Sequence, residues 1–444
     1  EYFIEGTRSR TGRLLQPKGG MLSMTVRSYL RTRTRPVMFQ PIYIGYEKLA
    51  EGNSYTTELS GAAKKKESLW DLFKIRKILK KRYGKVHVSF SQPIFLDDML
   101  DRFEPDWRTT TLGSEDKPAW LTPLVNDLGQ RIMTGINQAT HVNAINLLAV
   151  ILLTTRKLAM GRDELLDQLE LYLAMMESCS FSDRVTITQK SPKEIIGYGI
   201  ELGVIESIEN PLGDIIRVTP DQSVLLTYFR NNISHMVAVP SLITSCFLNA
   251  DALTVKDLKR IALALYPFLK AEFFLPWDDG GFLRTVDDCI EWLIKNGLLV
   301  AEEDGALHKP AGGTTQDLQL RILGHALLQT FERYYITVAV LAKNGSGKLS
   351  RSELERLCIL TAQRISQLNE FAAPEFYDRN QIRQFITLLR ETGVLTTTED
   401  DKLEFNSVIQ QINEDSRYIL SQEIRHNIIR VAPQVLAEDQ EDDT

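Results

Sequence analysis

Apolar and polar residues alternate in two different ways along the chain. In the first hundred residues, short apolar runs typical of strands occur at residues 2–5, in "PVMFQPIYIGYE" and in "KVHVSFSQPIFL". Two stretches with helical spacing lie among them, at about residues 20–33 and near residues 68–83. The apolar face of the first predicted helix consists of Met21, Leu22, Val26, Tyr29 and Leu30. This alternation predicts an α/β fold, a sheet with flanking helices.

The rest of the chain has a different pattern. After the polar, turn-rich stretch "RFEPDWRTTTLGSEDKPAW", long amphipathic segments such as "DELLDQLELYLAMM" and "TVKDLKRIALALYPFLK" predominate. They predict a large, mainly α-helical region with short β-hairpins. We therefore predict one domain over residues 1–104 and a helical region over residues 105–444, and leave open a further division near residue 230. The best apolar run, residues 144–153, is too short to span a membrane and predicts a core helix.

One pattern occurs three times in the helical region. The stretches "GIELGVIESIENPLGDIIRVTP", "WLIKNGLLVAEEDGALHKP" and "LLRETGVLTTTEDDKLEFN" each pass from a helix through glycine into two short strands joined by an acidic turn. The glycines, Gly203, Gly297 and Gly393, favour the left-handed conformation at a helix end. Each unit resembles the helix and wing of a winged-helix fold. Because the turns carry Glu and Asp where phosphate contacts need Lys and Arg, we expect packing or interaction and no nucleic-acid partner.

Charge is distributed unevenly over the chain. Residues 1–103 contain 20 Lys and Arg against 10 Asp and Glu, although the whole chain has a net charge of −6. The first part therefore suits an anionic partner such as phosphate, lipid or nucleic acid. The four cysteines are far apart in sequence, which argues against a disulfide framework or a zinc site and predicts small buried side chains.

Two further features give no catalytic motif. The stretch "NGSGKLS" lacks the residues of a phosphate-binding P-loop, and we interpret it as a turn followed by a helix with Ser350 as N-cap and Glu353 completing a capping box. No histidine has the spacing of a helical zinc pair or begins an H-x-x-x-x-D motif. His87 alternates with valines, which predicts a place on the polar face of a strand.

The opening stretch is the strongest candidate for a binding site. The apolar triplet that ends at Ile4 leads into Glu5, Gly6 and Thr7, and then into several basic residues: Arg8, Arg10, Arg13 and Lys18. A buried strand that ends at glycine would deliver guanidinium groups into a loop, which predicts an anion site. For Arg10, Arg13 and Lys18, a solvated basic loop is the alternative.

Two of these stretches together resemble a known family. "FIEGTRSRTGRLLQPKGG" and "PIYIGYEKLAEGNSYTTELSGAAKKKESLWDL" resemble the third and fourth sequence blocks of the bacterial glycerol-3-phosphate 1-O-acyltransferases. The resemblance implies an α/β acyltransferase domain, present in part, and transfer of a fatty acyl group from acyl-CoA or acyl carrier protein to glycerol 3-phosphate. It implies no cofactor and no metal.

The resemblance also implies roles for individual residues. The glycerol-3-phosphate block corresponds to Phe3, Glu5, Gly6, Thr7, Arg8, Ser9 and Arg10. Arg8 is our first choice for the phosphate, because its planar fork forms bidentate hydrogen bonds, while Glu5 would orient Arg8 or a glycerol hydroxyl. The resemblance links Pro41, in the fourth block, to catalysis; a proline that only ends an edge strand is the alternative.

The family's H-x-x-x-x-D block, with its catalytic histidine, is not in this sequence. We therefore expect residues 1–104 to be the C-terminal half of a catalytic domain in a longer protein, and this chain alone to be inactive. The hypothesis from a different class is a non-catalytic interaction scaffold built on the three helix-hairpin units.

One segment that is rich in both basic and apolar residues indicates where the protein is located in the cell. "AAKKKESLWDLFKIRKILKKRYGK" intersperses Lys and Arg with Leu, Trp, Phe and Ile, which suits an anionic membrane surface. A helix packed on the sheet is the alternative. The resemblance implies peripheral attachment to the cytoplasmic side of a bacterial inner membrane.

Overall fold

The structure is a computed structural model that describes residues 2–7, 9, 11–49, 84–109, 118–155, 157–219, 222–303, 305–369 and 374–434. The chain divides into two compact units. Unit 1 comprises Glu1–Met236 and Glu272–Trp277, and unit 2 comprises Val237–Ala271 and Asp278–Thr444. The predicted domain boundary at residue 104 stays a prediction, because one compact unit can contain residues of more than one domain.

Unit 1 combines helices with small sheets. Its described elements are α1 (Gly19–Thr32), β1 (Met38–Phe39), β2 (Ile42–Tyr46), β3 (Val86–Phe90), β4 (Ile94–Phe95), α2 (Leu96–Phe103), α3 (Leu121–Gln138), β5 (His141–Val142), α4 (Ala144–Leu152), β6 (Ala159–Gly161), α5 (Arg162–Ser178), β7 (Thr186–Ile187), α6 (Pro192–Glu201), β8 (Ile205–Ile208), β9 (Ile215–Val218) and α7 (Ser223–Asn232).

The predicted first helix is confirmed as α1. Leu22, Val26, Tyr29 and Leu30 are buried, and α1 packs against α3 through a core that also contains Ile4. Met21 is instead about half exposed. One residue step turns a helix by about 100°, so Met21 lies outside the stripe that Leu22 and Val26 define.

The strands after α1 form two antiparallel pairs. β1 pairs with β4, and β2 pairs with β3 in a register that sets Ile42 opposite Phe90. Pro41 lies between β1 and β2, outside both strands, where its missing amide hydrogen costs no strand pairing. The predicted helix at residues 68–83 lies outside the described residues.

The predicted strand at residues 2–5 is wrong. The backbone groups of a strand bind those of a neighbouring strand. Here, two carbonyl groups of residues 2–5 instead accept hydrogen bonds from amides of the turn and loop that follow. The Gly6 amide donates to the Phe3 carbonyl at 3.0 Å, and the Lys18 amide donates to the Ile4 carbonyl at 2.8 Å. Residues 4–7 consequently form a turn and bend.

Unit 2 contains the remaining elements. They are α8 (Ala238–Ser245), β10 (Ala252–Thr254), α9 (Val255–Phe273, whose last two residues belong to unit 1), α10 (Asp279–Lys295), β11 (Val300–Ala301), β12 (Ala306–His308), α11 (Thr315–His325), α12 (Leu328–Asn344), α13 (Arg351–Asn369), a short 3-10 helix (Pro374–Tyr377), α14 (Arg379–Glu391), β13 (Leu395–Thr397), β14 (Leu403–Phe405), α15 (Ser407–Ile419) and α16 (Gln422–Val431).

The three predicted helix-hairpin units are confirmed, and each is part of a larger repeat. Every repeat runs helix, strand, helix, helix, strand, strand, which is the order of a winged-helix fold. The first repeat is α4, β6, α5, α6, β8 and β9, and the second is α8, β10, α9, α10, β11 and β12. The third is α12, a bridge from Ser350 to Lys402, α13, α14, β13 and β14.

Strand pairing follows one rule in the three repeats. The first strand pairs antiparallel with the last: β6 with β9, β10 with β12, and Ser350 with Lys402 just before β14. The first strand of each repeat was not predicted from sequence. It is only one to three residues long, which is too short for a recognisable alternation of side chains.

The predicted glycines end the third helix of each repeat. Gly203, Gly297 and Gly393 have φ values of +68°, +72° and +70°, in the left-handed region that glycine adopts without strain. The Ser350 capping box is also confirmed. The Glu353 carboxylate accepts a hydrogen bond from the Ser350 backbone amide at 2.7 Å. The Glu353 backbone amide donates to the Ser350 hydroxyl at 3.3 Å.

Other predictions concern burial. Every residue of α4 is buried, which confirms the predicted core helix. Cys246, Cys289 and Cys358 are buried and Cys179 is half-buried.

Among the described residues, no helix combines the length and apolar character needed to cross a bilayer.

The glycine at the end of α6 gives a stability test. We expect Gly203→Ala to lower the free energy of unfolding by about 1 kcal/mol, because alanine is strained at positive φ. Gly197, inside α6, would have nothing within 4 Å of an added Cβ. Gly197→Ala should therefore stabilise by about 0.5–1 kcal/mol through helix propensity. Urea denaturation of the two variants measures both changes, and equal effects would contradict the assigned helix end.

Candidate functional site

The described part of loop 5–18, which includes residues 5–7, 9 and 11–18, closes on itself at its base. Ile4 is buried in the core, and its carbonyl accepts the Lys18 amide. Gly6 has a φ of +67°, and an added Cβ there would lie 3.1 Å from Cγ of Lys18. Glycine at this position therefore allows the chain to turn back towards Lys18.

The side chains of the predicted glycerol-3-phosphate block differ in exposure. Phe3 is 77% exposed and Thr7 is exposed, whereas Glu5 is half-buried. The Ser9 hydroxyl is buried and has no hydrogen-bond partner among the described residues. Arg8 and Arg10 lie outside the described residues. The loop thus presents a carboxyl group and a hydroxyl group that are partly shielded from water.

Burial changes the acidity of Glu5. It raises the pKa of the carboxyl group to about 7, opposed in part by a hydrogen bond from the Leu15 backbone amide. A carboxyl group with this pKa changes between its neutral and its ionised form near neutral pH. It can accept a hydrogen bond when ionised and donate one when neutral.

Arg13 has neither of its predicted roles. It was expected to bind an anion or to be solvated, but its side chain is 6% exposed and pairs with the carboxylate of Glu272, which is 8% exposed. The guanidinium carbon lies 5.4 Å from the centre of the Phe273 ring. The partner lies 259 positions away in the sequence, so local spacing could not reveal it. Lys18, by contrast, is exposed, which is compatible with either of its two predicted roles.

Two contacts with α7 fix the backbone beside Arg13. The Asn231 side-chain amide donates to the Thr11 carbonyl at 2.8 Å. Gly12 has a φ of +76°, and a Cβ at this position would lie only 2.2 Å from the Tyr228 carbonyl oxygen. Glycine is required here by both its conformation and the close approach of the two backbones.

A small cavity lined by polar and apolar side chains brings the two predicted blocks together. It encloses about 40 Å³, room for one or two water molecules. The cavity is lined by Gly12, Arg13, Leu14, Tyr43, Ile136, Asn137, Asn231, Asn232, His235, Glu272, Phe273 and Phe274. Loop 5–18 therefore meets β2, the strand that follows Pro41.

Pro41 itself is buried against α3. A Cβ added at Gly135 would lie 3.0 Å from Cγ of Pro41, so the ring packs closely on that helix. The Pro41 carbonyl accepts the Ser91 amide at 3.0 Å. Its predicted support of catalysis stays a prediction.

His235 is a cavity residue that sequence reasoning missed. It is buried, its Nε2 lies 3.3 Å from the Thr140 hydroxyl, and burial lowers the pKa of its imidazole to about 3. The ring is therefore neutral at physiological pH. Because His235 precedes no acidic partner in sequence and lies after α7, only its place in the fold identifies it.

A second group of titratable side chains surrounds Glu47, at the end of β2. The buried Glu47 carboxylate accepts the Tyr198 hydroxyl at 2.5 Å and the Lys85 amide at 2.6 Å, and lies 3.5 Å from Nε2 of His87. His87 stacks on His141 at a centroid distance of 3.7 Å. Burial, with the nearby His87, lowers the pKa of His141 to about 4. No group of three metal-ligating side chains with suitable geometry occurs in the described ranges.

His87 is on the face of β3 opposite the valines, as predicted, but that face points inwards. The apolar side chains of the β2–β3 pair are exposed instead. We call this group the apolar sheet face. It consists of Ile42, Ile44, Tyr46, Val86, Val88 and Phe90. The alternation of side chains along β3 correctly assigned them to two faces. It did not show which of the two faces is exposed to solvent.

Comparison with known proteins identifies relatives along almost the whole chain. Residues 55–398 match the family described as the glycerol-3-phosphate acyltransferase C-terminal region. A glycerol-3-phosphate acyltransferase of Xanthomonas campestris pv. campestris is 47% identical over 443 residues, covering 99% of this chain and 50% of the relative. One of Xylella fastidiosa strain M23 is 47% identical over 438 residues, covering 98% and 51%.

A more distant relative also matches almost the whole chain. A glycerol-3-phosphate acyltransferase of Pseudomonas fluorescens strain Pf-5 is 39% identical over 433 residues, covering 97% of this chain and 52% of the relative. The chain thus spans about half the length of the curated relatives it matches.

The raised pKa of Glu5 predicts a pH dependence of stability. Because the folded state binds this proton more tightly than the unfolded state, the stabilising contribution is complete below about pH 4.5 and is lost as the pH rises through about 7. We expect Glu5→Gln to remove this decrease in the free energy of unfolding with rising pH. Urea denaturation between pH 5 and 8 should show the stability of the wild type falling relative to the variant.

Glu194 supplies a matched control for this experiment. Hydrogen bonds from Ser191 lower the pKa of the Glu194 carboxyl group, so its titration lies below the tested range. Glu194→Gln should leave the pH dependence between pH 5 and 8 unchanged. A Glu5→Gln variant with the same slope as the wild type would refute the assignment.

Proposed function

We propose, from the premise that this chain belongs to the glycerol-3-phosphate acyltransferase C-terminal family, that it forms part of an enzyme that acylates glycerol 3-phosphate. The acyl group would come from acyl-CoA or acyl carrier protein, and the product would be 1-acylglycerol 3-phosphate. The observation that carries the proposal is the convergence of loop 5–18 and the strand after Pro41 on one cavity. Both stretches belong to the blocks by which the sequence resembles the bacterial glycerol-3-phosphate 1-O-acyltransferases.

Loop 5–18 would bind glycerol 3-phosphate. Since Arg13 is committed to Glu272, we assign the phosphate to Arg8 and Arg10. The partly shielded Glu5 carboxyl group and the buried Ser9 hydroxyl are suited to hydrogen-bond a glycerol hydroxyl or to orient Arg8. Gly6 would allow the backbone to approach the ligand.

The chemical step needs further residues. A base must remove the proton from the 1-hydroxyl as it attacks the thioester, and an oxyanion must be stabilised. We propose that an H-x-x-x-x-D block in another part of a longer protein supplies the base, and that this chain alone does not turn over. The relatives, which are about twice as long as the matched region, support this proposal.

The apolar sheet face provides a surface for that other part. Ile44 lies opposite Val88, and Val88 is 53% exposed, so the pair leaves apolar area in water. Exposed contiguous apolar area is typical of interaction surfaces. We assign this face to packing against the remainder of the catalytic domain, since β2 lies in the fourth block and β3 pairs with it.

Membrane association is a further part of the proposal. The acyl donor and product are amphiphilic, and residues 64–82 combine cationic and apolar side chains in sequence, although they lie outside the described residues. We propose peripheral attachment to an anionic surface, on the cytoplasmic side of a bacterial inner membrane. Loss of binding to anionic vesicles with rising salt would support it.

Arg8→Ala in the full-length protein tests substrate binding. The phosphate is present in the ground state and the transition state alike, so losing its ligand should raise KM for glycerol 3-phosphate and leave kcat comparatively intact. A charge-assisted hydrogen bond implies an increase of about 10- to 150-fold, with KM for the acyl donor unchanged. Steady-state assays with palmitoyl-CoA measure both constants.

Two controls accompany this assay. Arg8→Lys should recover only part of the affinity, because an ammonium group keeps the charge and loses the planar fork. The 444-residue chain alone should release no thiol above background. A higher KM for the acyl donor alone would mean that Arg8 binds the donor's phosphates. A full-length protein without turnover would favour the interaction scaffold.

Val88→Lys tests the assigned packing surface. In the chain alone, the exposed position should tolerate lysine with a loss of less than about 1 kcal/mol of unfolding free energy. In the full-length protein, burial of the ammonium group should destabilise by about 2 kcal/mol or more. Leu212→Lys, at a position 99% exposed in the turn between β8 and β9, is the matched control and should be neutral in both. Equal effects of Val88→Lys in the two proteins would rule out burial of this face.

A further inference from the structure

Two side chains that follow the predicted boundary at residue 104 hold the loop that precedes it. We propose that Glu272 and Asn231 are positioning residues for glycerol-3-phosphate binding: they fix residues 11–13 and thereby the adjacent Arg8 and Arg10. This inference rests on the proposed function and extends it, because it gives the C-terminal region a role in substrate affinity.

The ion pair is the stronger of the two connections. Both Arg13 and Glu272 are less than a tenth exposed, and the guanidinium also lies over the Phe273 ring. Breaking a buried pair by removing one partner is costly, because the remaining charge is left without compensation. Loss of the Glu272 carboxylate would therefore leave the buried Arg13 charge without its ion-pair partner.

The contacts with α7 complete a three-point attachment. Asn231 binds the Thr11 carbonyl, and Gly12 lies directly against the Tyr228 carbonyl. Three consecutive residues are thus held by a side-chain amide, a backbone contact and an ion pair. Such fixation holds the C-terminal part of loop 5–18 in one place, close in sequence to the half-buried Ser9.

The segment that bears Glu272 is itself anchored in unit 1. The Asn137 side-chain amide donates to the Phe273 carbonyl at 2.7 Å. The cavity of about 40 Å³ lies beside these contacts, and Tyr43, Asn137 and His235 are among the residues that line it. Arg13, Asn231 and Glu272 line the same cavity, so the anchoring contacts lie at its wall.

The kinetic test compares two Glu→Gln substitutions in the full-length protein. Glu272→Gln should raise KM for glycerol 3-phosphate about tenfold or more without changing KM for the acyl donor, since small displacements of binding groups are costly. Glu355, 10% exposed and bound by Arg379 and Arg383 in unit 2, is the matched control. Glu355→Gln removes a similar buried carboxylate and should leave both KM values unchanged.

The outcomes separate the two levels of the proposal. Absence of glycerol-3-phosphate-dependent turnover in the unsubstituted full-length protein would overturn the proposed function. An active Glu272→Gln enzyme with unchanged KM for glycerol 3-phosphate, or equal changes in the two variants, would overturn the positioning role alone.

Hydrogen exchange of the 444-residue chain tests positioning without activity. The Gly6 and Lys18 amides donate to carbonyls within the turn and at the loop base, so their exchange reports whether loop 5–18 is closed. Glu272→Gln and Asn231→Ala should each speed exchange of peptides covering this loop by about tenfold, while Glu355→Gln should not. Unchanged exchange in folded Glu272→Gln protein would overturn the proposal. If that variant does not fold, the same result for Asn231→Ala would do so.

Discussion

A helix buried on every side begins each of the three repeats, and the arrangement of the other elements depends on it. All residues of α4 and of α8 are buried, as are residues 330–341 of α12. Such a helix cannot be covered by a single neighbour, so several elements must pack around it. α4 contacts α5, α6 and α7, and α12 contacts α13, α14, α15 and α16.

Complete burial also dictates where polar groups occur in these helices. Asn143 caps α4, and the Asn146 side chain in its first turn donates to the Phe229 carbonyl at 2.8 Å. In α8, the Ser241 hydroxyl accepts the Leu327 amide at 3.1 Å. The Glu332 carboxyl group in α12 is buried, which raises its pKa to about 8 and keeps it neutral. Asn146, Ser241 and Glu332 are thus buried either with a hydrogen-bond partner or in a neutral form, which lowers the cost of removing them from water.

Sequence patterns predicted the elements that local chemistry determines. The helix at α1, the three glycine-terminated helices and the Ser350 capping box each follow from residues within a few positions of one another. The first strand of each repeat was missed because one to three residues are too few to show an alternation of side chains, and its partner strand lies more than 50 residues further along the chain. The strand predicted at residues 2–5 failed because an apolar triplet does not specify a pairing partner.

The candidate site shows the same division between local and distant information. Resemblance drew attention to loop 5–18, and glycine chemistry accounts for Gly6 and Gly12. The burial of Arg13, however, depends on Glu272, which no local pattern connects with it. A row of basic residues in sequence therefore does not show which of its members serve the fold, because the partner of Arg13 lies 259 positions away. Since Asn231 and Glu272 lie far beyond residue 104, residues 1–104 do not by themselves define the geometry of residues 11–13.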